Sequence, residues 1–336
     1  MFESIVEKIP DMGKSYHQET LLRQAARNRP FVEKSIRDLP KRSGPKQASC
    51  IIVSAGPSVR RKKSIRRIKA SQYQGSIIAV DGAYVACLEE GLFPDFVMAM
   101  DPHPTRVVRW FGDPNLEKNS VNDDYFKRQD LDVEFRNNAT EKNQRNIDWV
   151  NRYACRSNVI ACTVLHTETV VARMHEAKFP LYWWNPLVDD PENKNSLTKQ
   201  LYDINPVACL NTGGTVGNAA WVFAHDILQI PSIALVGMDY GYYGDTPIEQ
   251  TQTYYELKDH VEKEEDLKKC FISYTFPLTG ERFYTDPTYF WYRQNLLELL
   301  EGSKSVTVNC TEGGTLIDDR VPAISLDQYL KDFSNG

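Results

Sequence analysis

Two glycine-containing turns in this 336-residue chain have the residue types that bind phosphate groups. In the first turn, the apolar residues 50–53 lead into Gly56, Pro57 and Ser58. A glycine turn between a strand and a helix presents backbone N–H groups at the positive end of the helix dipole, where an anion is stabilised. Gly56, Pro57 and Ser58 are therefore predicted to bind a nucleotide. The alternative is an ordinary strand-to-helix turn in which Ser58 caps the helix.

The second turn precedes a helical apolar pattern over residues 215–229 and consists of Thr212, Gly213, Gly214 and Thr215. Its glycine amides and hydroxyl groups form a second predicted phosphate cradle. We expect both turns to face one crevice. The alternative is packing alone, because Gly217 also allows a helix and a strand to approach closely.

Carboxylates follow three of the apolar runs. Asp81 and Gly82 end the second run, about where a doubly wound fold places an acid that accepts from a ribose hydroxyl. Asp239 follows the run 233–236 and is likewise predicted to accept from the ribose or the base. For Asp81 the alternative role is a helix cap.

The third apolar run ends in Asp101, and Pro102, His103 and Pro104 follow it. Because prolines restrict the backbone, this turn is predicted to hold its side chains firmly at the edge of the sheet. Asp101 and His103 are the candidate catalytic residues: Asp101 as a base, or as a ligand only if Mg²⁺ is used, and His103 to neutralise phosphate or transfer a proton. A purely structural turn is the alternative for His103.

A third glycine-rich turn near the end of the chain contains Glu312 and Gly313, which are also assigned to nucleotide binding. A simple turn or hairpin is the alternative here. The sequence has no nucleophile elbow, zinc-peptidase motif or phosphate-binding-loop lysine motif, which argues against hydrolases, zinc peptidases and P-loop kinases. The seven cysteines have no metal-ligand spacing and indicate a reducing compartment.

Short apolar runs alternate with helical stretches from residue 51 onward, which is typical of repeated β–α units. Strands are predicted at about residues 49–54, 76–80, 96–100, 158–165, 180–184, 233–237 and 306–309. The predicted fold is an α/β protein with a doubly wound, mostly parallel, Rossmann-like sheet and insertions at its carboxyl edge.

Three units are expected along the chain. Residues 1–48 are predicted to be a helical appendage outside the core, residues 49–320 the catalytic domain, and residues 321–336 a C-terminal helix. Insertions at about 102–156 and 240–286 follow strand ends and are candidate lids. The second of them is predicted to contain a polar helix over residues 254–269.

The amino-acid composition excludes several classes of protein. With 41% apolar and 25% charged residues the chain is typical of a globular protein, and it has no apolar segment long enough to span a membrane. Its formal net charge of -5 gives no reason to expect nucleic-acid binding. Residues 60–69 are strongly basic and either steer an anion, bind nucleic acid or form a solvated helix face, which the lack of interleaved aromatic residues favours. The expected location is the cytoplasm.

Six short motifs, taken in order, resemble one family. They are residues 55–58, 79–83, 94–95 with 101–102, 212–217, 237–239 and 311–314. The family is the motility accessory factor (Maf) glycosyltransferases, whose core belongs to the MptE-like domain named after archaeal 6-hydroxymethylpterin diphosphokinase. The resemblance covers about residues 48–320. It departs from the diphosphokinase where Pro102, His103 and Pro104 stand in place of a cluster of aspartates.

The resemblance implies a transferase that uses a CMP-activated nonulosonic, sialic-acid-like sugar. The alternatives are an ATP-dependent 6-hydroxymethylpterin diphosphokinase and a non-catalytic nucleotide-binding module. In the diphosphokinase, aromatic residues such as Trp183, Trp184, Tyr242 and Tyr243 would stack the pterin, as they could equally stack a sugar. The expected partners are a CMP-linked sugar or ATP, and an acceptor protein or glycan. No cofactor is required for sugar transfer, whereas Mg²⁺ would accompany ATP.

Overall fold

An eight-stranded parallel sheet forms the centre of the protein, seen in a computed structural model that describes residues 2–121, 139–258, 261 and 263–334. In chain order the strands are β1 Ser49–Val53, β2 Ser76–Val80, β3 Phe96–Ala99, β4 Asn158–Cys162, β5 Leu181–Leu187, β6 Cys209–Asn211, β7 Ser232–Val236, β8 Tyr242–Tyr243, β9 Ile272–Thr275, β10 Arg282–Thr285 and β11 Val306–Asn309. The order across the large sheet is β11-β7-β1-β2-β3-β4-β5-β6. Every neighbouring pair in it is parallel.

The chain runs outward from β1 to β6 and then returns to β7, which pairs with β1. The sheet therefore has a topological switch point between β1 and β7. In open α/β sheets ligands bind outside the carboxyl ends of the strands at such a point. The predicted doubly wound, mostly parallel fold is confirmed.

Helices connect the strands and cover the sheet. They are α1 Phe2–Val6, α2 Ile9–Asn28, α3 Pro45–Ala48, α4 Ser58–Arg61, α5 Ser64–Ala70, α6 Asp81–Glu89, α7 Arg106–Trp110, α8 Leu116–Ser120, α9 Ala139–Tyr153, α10 Ala172–Glu176, α11 Leu197–Ile204, α12 Val216–Val222, α13 Tyr254–Lys258, α14 Pro287–Leu300 and α15 Leu326–Ser334. Within the described ranges, none of these helices is both long and apolar enough to cross a bilayer.

Both faces of the sheet are buried, because successive side chains of a strand point to opposite faces. Ile51 of β1 packs in a cluster with Ile68 of α5 and Leu330 of α15. Its neighbour Ile52 packs in a larger cluster that contains Ala219 of α12. Apolar side chains on both faces explain why the strands read as continuous apolar runs in the sequence.

The seven predicted strands are confirmed to within a few residues at their ends. β6 is not predicted from the sequence, because it has only three residues and ends in the exposed Asn211. The predicted helix over residues 215–229 begins as α12 and continues as a π-helix, Phe223–Ile227. The predicted polar helix over 254–269 is shorter: α13 is followed by a 3₁₀ helix, Glu264–Cys270, and residues 259, 260 and 262 lie outside the described part.

The N-terminal residues 1–48 were expected to lie outside the core, and this is wrong. Ala25 and Ile36 are buried in the main hydrophobic cluster, with 0% and 1% exposure. The fully buried Asn28 side chain donates to the carbonyl oxygens of Thr163 and Leu165, at 2.8 and 2.7 Å. The prediction failed because it relied on composition, and charged residues on the outer side of α2 dominate the composition of this segment.

The insertion over residues 240–286 contains a small antiparallel sheet in the order β8-β10-β9. The insertion over 102–156 contains α7, α8 and α9, and Val107, Phe111 and Val150 bury fully in the core. Residues 122–138 lie outside the described part. Part of each insertion is therefore built onto the scaffold, and the role of either as a lid stays a prediction.

Candidate functional site

A cleft lies at the carboxyl ends of β3 to β6, and α2 forms one of its walls. One part, the basic compartment, has a volume of about 510 Å³ and is lined by Arg23, Asp101, His103, Arg106 and His166 among others. The other part, the amide compartment, has a volume of about 580 Å³ and is lined by Gln18, Asn195, Asn211, Asn295 and Glu298 among others. Leu21, Val188 and Thr212 line both, so the two compartments adjoin each other.

Asp101 is the carboxylate of the basic compartment. It follows β3, and its Oδ1 accepts from the His103 backbone N–H at 2.8 Å, which fixes the proline-rich turn as the sequence predicts. Its Oδ2 lies 2.5 Å from a guanidinium nitrogen of Arg106. Asp101 and Arg106 keep 25% and 32% side-chain exposure, so this ion pair faces solvent in the cleft.

Two histidines lie in the basic compartment. The Nδ1 atom of His103 accepts from the Thr105 N–H at 3.3 Å, so the proton of a neutral His103 ring is on Nε2. Burial lowers the pKa of His166, and the charges of Arg27 and Arg23 lower it further against the opposing effect of Glu168. At neutral pH His166 is therefore mainly an uncharged hydrogen-bonding group, and Arg23 and Arg106 carry the positive charge.

A hydroxyl bridge holds these two histidines in one wall. The Thr169 hydroxyl donates to the Pro104 carbonyl oxygen at 2.5 Å, and its oxygen lies 3.0 Å from His166 Nδ1. The loop after β3 is thereby tied to the loop after β4. Because these loops come from neighbouring strands, the geometry follows from the sheet order.

Asp81 is buried at the start of α6, with 7% exposure, and its Oδ1 accepts from the Gly82 N–H at 2.7 Å. Burial raises the pKa of Asp81 to about 7; the charge of Asp101 adds to this, while the Gly82 hydrogen bond and Arg106 oppose it. Asp81 is thus electrostatically coupled to the basic compartment. A carboxyl group with this pKa is partly protonated at pH 7 and can both donate and accept a hydrogen bond.

The Thr212–Thr215 turn lies between the two compartments, and its own groups satisfy most of its amides. The Gly213 N–H donates to Asn211 Oδ1 at 3.0 Å, and the Gly214 N–H donates to Thr212 Oγ1 at 3.2 Å. Thr215 caps α12 by accepting from the Asn218 N–H at 3.1 Å. Both glycines have positive φ, at +51° and +86°, so this tight turn requires glycine.

The Gly56 turn is closed by the Asp239 carboxylate. Ser58 donates to it twice, from N–H to Oδ1 at 3.3 Å and from the hydroxyl to Oδ2 at 2.7 Å. The Gly56 N–H donates to the Gly237 carbonyl at 3.0 Å. A Cβ atom on Gly56 would lie 1.9 Å from Asp239 Oδ2, so this position requires glycine because of close approach. The side chain of Asp239 thus occupies the place at the start of α4 that an anion would take.

Asp239 is 3% exposed, and burial raises its pKa to about 7 although the Ser58 hydrogen bonds and the charge of Arg61 lower it. The third turn packs against the same loop. The Thr315 N–H donates to the Asp239 carbonyl at 2.8 Å, and a Cβ atom on Gly314 would lie 2.4 Å from that oxygen. We call Gly56, Ser58, Gly237, Asp239 and Gly314 the switch-point cluster.

Glu312 and Gly313 make contacts within the scaffold. Glu312 pairs with Arg67 at 2.5 and 2.9 Å, and it accepts from the Leu326 N–H at 3.0 Å, where α15 begins. Burial would raise the pKa of Glu312, but Arg67 and the Leu326 N–H lower it overall. A Cβ atom on Gly313 would lie 2.8 Å from the Phe283 ring.

Four of the seven basic residues over 60–69, in and between α4 and α5, form ion pairs. Arg61 pairs with Asp245, Lys62 with Glu281, Arg66 with Glu90, and Arg67 with Glu312 and Asp327. These pairs attach the helices to the small sheet, to α6 and to α15. The pairing favours a scaffold role for this basic run over long-range steering of an anion.

The structure thus brings together Asp101, His103 and Thr212 in one cleft, with Gly213 and Gly214 in the adjoining compartment. Asp81 is not among the residues that line either compartment, although the charge of Asp101 contributes to its raised pKa. Gly82 lines a separate cavity of about 170 Å³ beside α9. Gly56, Ser58 and Asp239 lie in the switch-point cluster, and Pro57 is exposed beside it. The nucleotide-binding roles of all these residues stay predictions. Arg23, Arg106 and His166 were missed, and no motif marks them because each comes from a different element.

Asp101 does not offer a good site for Mg²⁺ in this arrangement. Both of its oxygens already accept from protein donors, one of them a guanidinium group. Among the described residues, no group of three or more histidine, cysteine, aspartate or glutamate side chains is placed to hold a metal ion. A role for Mg²⁺ stays a prediction.

The fold and the cleft define a doubly wound α/β protein with an open cleft at the carboxyl edge of its sheet. A family model described as "6-hydroxymethylpterin diphosphokinase MptE-like" matches residues 22–118. This segment holds the last seven residues of α2, β1 to β3, and the Gly56, Asp81 and Asp101 turns. The match confirms the resemblance to the MptE-like family over that segment.

The solved structure of the MAf glycosyltransferase from Magnetospirillum magneticum AMB-1 is similar to 95% of this chain, with a TM-score of 0.57 and 16% sequence identity. At this identity the likeness concerns the fold. The chain spans 41% of the length of that protein. A comparison with curated proteins finds no match.

Proposed function

We propose that the protein is a glycosyltransferase that uses a CMP-linked nonulosonic, sialic-acid-like donor. The observation that carries the proposal is the pairing of two chemically different compartments in one cleft. The basic compartment fits a negatively charged donor, and the amide compartment leaves room for a second substrate. The fold shared with the MAf glycosyltransferase supports the same class of reaction.

In this proposal the donor phosphate and the carboxylate of the sugar lie in the basic compartment. Arg23 and Arg106 supply the positive charge, and His103 supplies an N–H donor from Nε2. When the bond between the anomeric carbon and the phosphate oxygen breaks, negative charge grows on the phosphate, and these groups stabilise it. The amides of Gly56 and Ser58 already have protein acceptors, which is why we do not place the phosphate in that turn.

The acceptor hydroxyl adds to the anomeric carbon, and its proton passes to Asp101, while His103 assists departure of the phosphate through its Nε2–H group. Asp101 is suited to this because it is a carboxylate held by the His103 N–H at the mouth of the cleft. Bond breaking releases CMP, so the products are the glycosylated acceptor and CMP. Asp81 senses the charge of Asp101 and is proposed to bind the ribose or the base through its partly protonated carboxyl group.

Isothermal titration of CMP in the presence of EDTA tests the basic compartment. We expect CMP to bind without metal, and Arg106→Gln to weaken binding at least about tenfold, since a charged hydrogen bond contributes roughly 1.5–3 kcal/mol. Arg61→Gln is the matched control, because Arg61 is also paired with an aspartate but lies outside the cleft. Equal CMP affinity in the wild type and in Arg106→Gln would contradict the proposal.

The family match supports a second candidate, ATP-dependent diphosphate transfer to a hydroxymethylpterin. Trp183 and Trp184 do not favour it, because both are buried in the core, at 1% and 0% exposure, and neither can stack on a pterin. ATP binding that requires Mg²⁺, together with AMP formation, would place this candidate first.

A further inference from the structure

The amide compartment has a chemical character opposite to that of its neighbour. Four amide side chains contribute to its lining: Gln18, Asn195, Asn211 and Asn295. Two carboxylates, Asp189 and Glu298, also line it. No lysine, arginine or histidine is among the described residues that line it. An anionic ligand would therefore find no positive partner among the described residues of these walls.

The negative charge of this compartment is fixed. Burial would raise the pKa of Asp189, but hydrogen bonds from the Thr198 and Leu197 N–H groups and from the Ser196 hydroxyl lower it to about 2. Asp189 therefore stays ionised at any pH at which the protein is handled. Glu298 is exposed on the last turns of α14 and adds a second carboxylate.

The backbone of the Thr212 turn offers little to a ligand. The Gly213 and Gly214 amides are engaged within the turn, and the Thr215 N–H donates to the Thr212 carbonyl at 3.2 Å. An extended peptide, which pairs through its own backbone, would find no ladder of free amides on this wall. Recognition here depends on side chains.

Two of the amides keep unused hydrogen-bonding capacity. Asn211 uses its Oδ1 atom for the Gly213 N–H, and Asn295 uses its Nδ2 group for the Gly213 carbonyl at 3.2 Å. Within the described part of the chain, neither side-chain amide makes another hydrogen bond, which leaves the Asn211 Nδ2 donor and the Asn295 Oδ1 acceptor for a ligand. Trp291 adds a partly buried aromatic surface to the same cavity.

We propose that the amide compartment binds the acceptor, and that this acceptor is a sugar without negative charge. Amide donors and acceptors beside carboxylates match hydroxyl groups, which both donate and accept, and an aromatic ring matches the apolar face of a sugar ring. The two carboxylates repel an acidic sugar and attract an amino sugar. The acceptor role rests on the proposed function, whereas the binding preference can be measured without it.

Saturation-transfer NMR with three sugars of equal size tests this preference: glucosamine, glucose and glucuronate. We expect glucosamine and glucose to bind and glucuronate to bind at least tenfold more weakly. Asn295→Ala should reduce glucose binding at least fivefold, and Glu298→Gln should raise glucuronate binding at least threefold. Glu301→Gln is the control, because Glu301 lies near Glu298 in the chain but pairs with Arg320 at 2.8 Å.

Equal binding of glucuronate and glucose, or glucose binding that Asn295→Ala leaves unchanged, would overturn the inference. Tighter binding of a short serine-containing peptide than of any sugar would overturn it in favour of a peptide acceptor. CMP titration in the same samples separates the two proposals. Sugar binding without CMP binding would refute the donor assignment alone, and CMP binding without sugar binding would refute this inference alone.

Discussion

Asp101 and Asp239 occupy equivalent places in the fold, yet their surroundings differ. Each follows a strand of the parallel sheet at its carboxyl edge. Asp239 is 3% exposed and accepts from Ser58 through both oxygens, so the scaffold satisfies it. Asp101 shares its carboxylate between the His103 N–H and the partly exposed Arg106, at the mouth of a cleft.

This difference teaches that a strand-end carboxylate is not identified as a ligand group by its position alone. The deciding property is the source of its donors. A carboxylate whose donors come from a neighbouring buried turn holds two loops together. A carboxylate whose donors are exposed side chains can exchange those donors for a substrate at a smaller cost in free energy, because no buried polar group is then left unpaired.

The largest expected effect concerns the switch-point cluster. Gly56→Ala should lower the free energy of unfolding by roughly 2–4 kcal/mol, because the new Cβ atom would meet Asp239 Oδ2 at 1.9 Å and the Gly237 carbonyl at 2.4 Å. Urea denaturation measures this loss. Gly280→Ala is the control: it adds the same atom where nothing lies within 4 Å, so only the strain of its positive φ remains. An equal loss in the free energy of unfolding for both variants would show that close packing at Gly56 does not stabilise the switch-point cluster.

The second prediction compares the same substitution at the two carboxylates. Asp101→Asn should reduce CMP release from a CMP-linked nonulosonic sugar by about 100-fold, the usual contribution of a general base, with an unchanged melting temperature. Asp239→Asn should keep that rate within about threefold. Rate assays and thermal melts on both variants make the test. If Asp239→Asn lost the rate and Asp101→Asn did not, the assignment of the two regions would be reversed.

The last prediction concerns the pH dependence of stability. Burial raises the pKa of Asp239 and of Asp81 to about 7 in the folded protein, from 3.8. The folded state therefore binds more protons between these values, so the stability that both groups contribute is present below about pH 4 and is lost as pH rises through 7. Asp239→Asn should flatten the decline measured by urea denaturation from pH 5 to pH 8. Ser58→Ala should move the decline to higher pH. Identical profiles in all three proteins would show that the buried carboxyl of Asp239 does not titrate as proposed.

The sheet could be predicted from the sequence because its strands are buried on both faces and stand out as apolar runs. The cleft could be predicted only in part. Asp101 and His103 were found because a proline-rich turn at a strand end is a local signal. Arg23 and His166 lie 143 positions apart, and only the tertiary packing of α2 against the loop after β4 brings them together.

The packing of α2 has a consequence for dissecting the protein. A shortened chain that starts at residue 49, where the apolar runs begin, would lack Asn28 and leave the Thr163 and Leu165 carbonyls without their side-chain donor. It would also uncover the apolar surface beneath Ala25 and remove the wall formed by Leu21, Arg23 and Gln24. The smallest fragment suitable for studying the cleft therefore begins before α2. A shorter fragment would expose apolar surface that is buried in the intact domain.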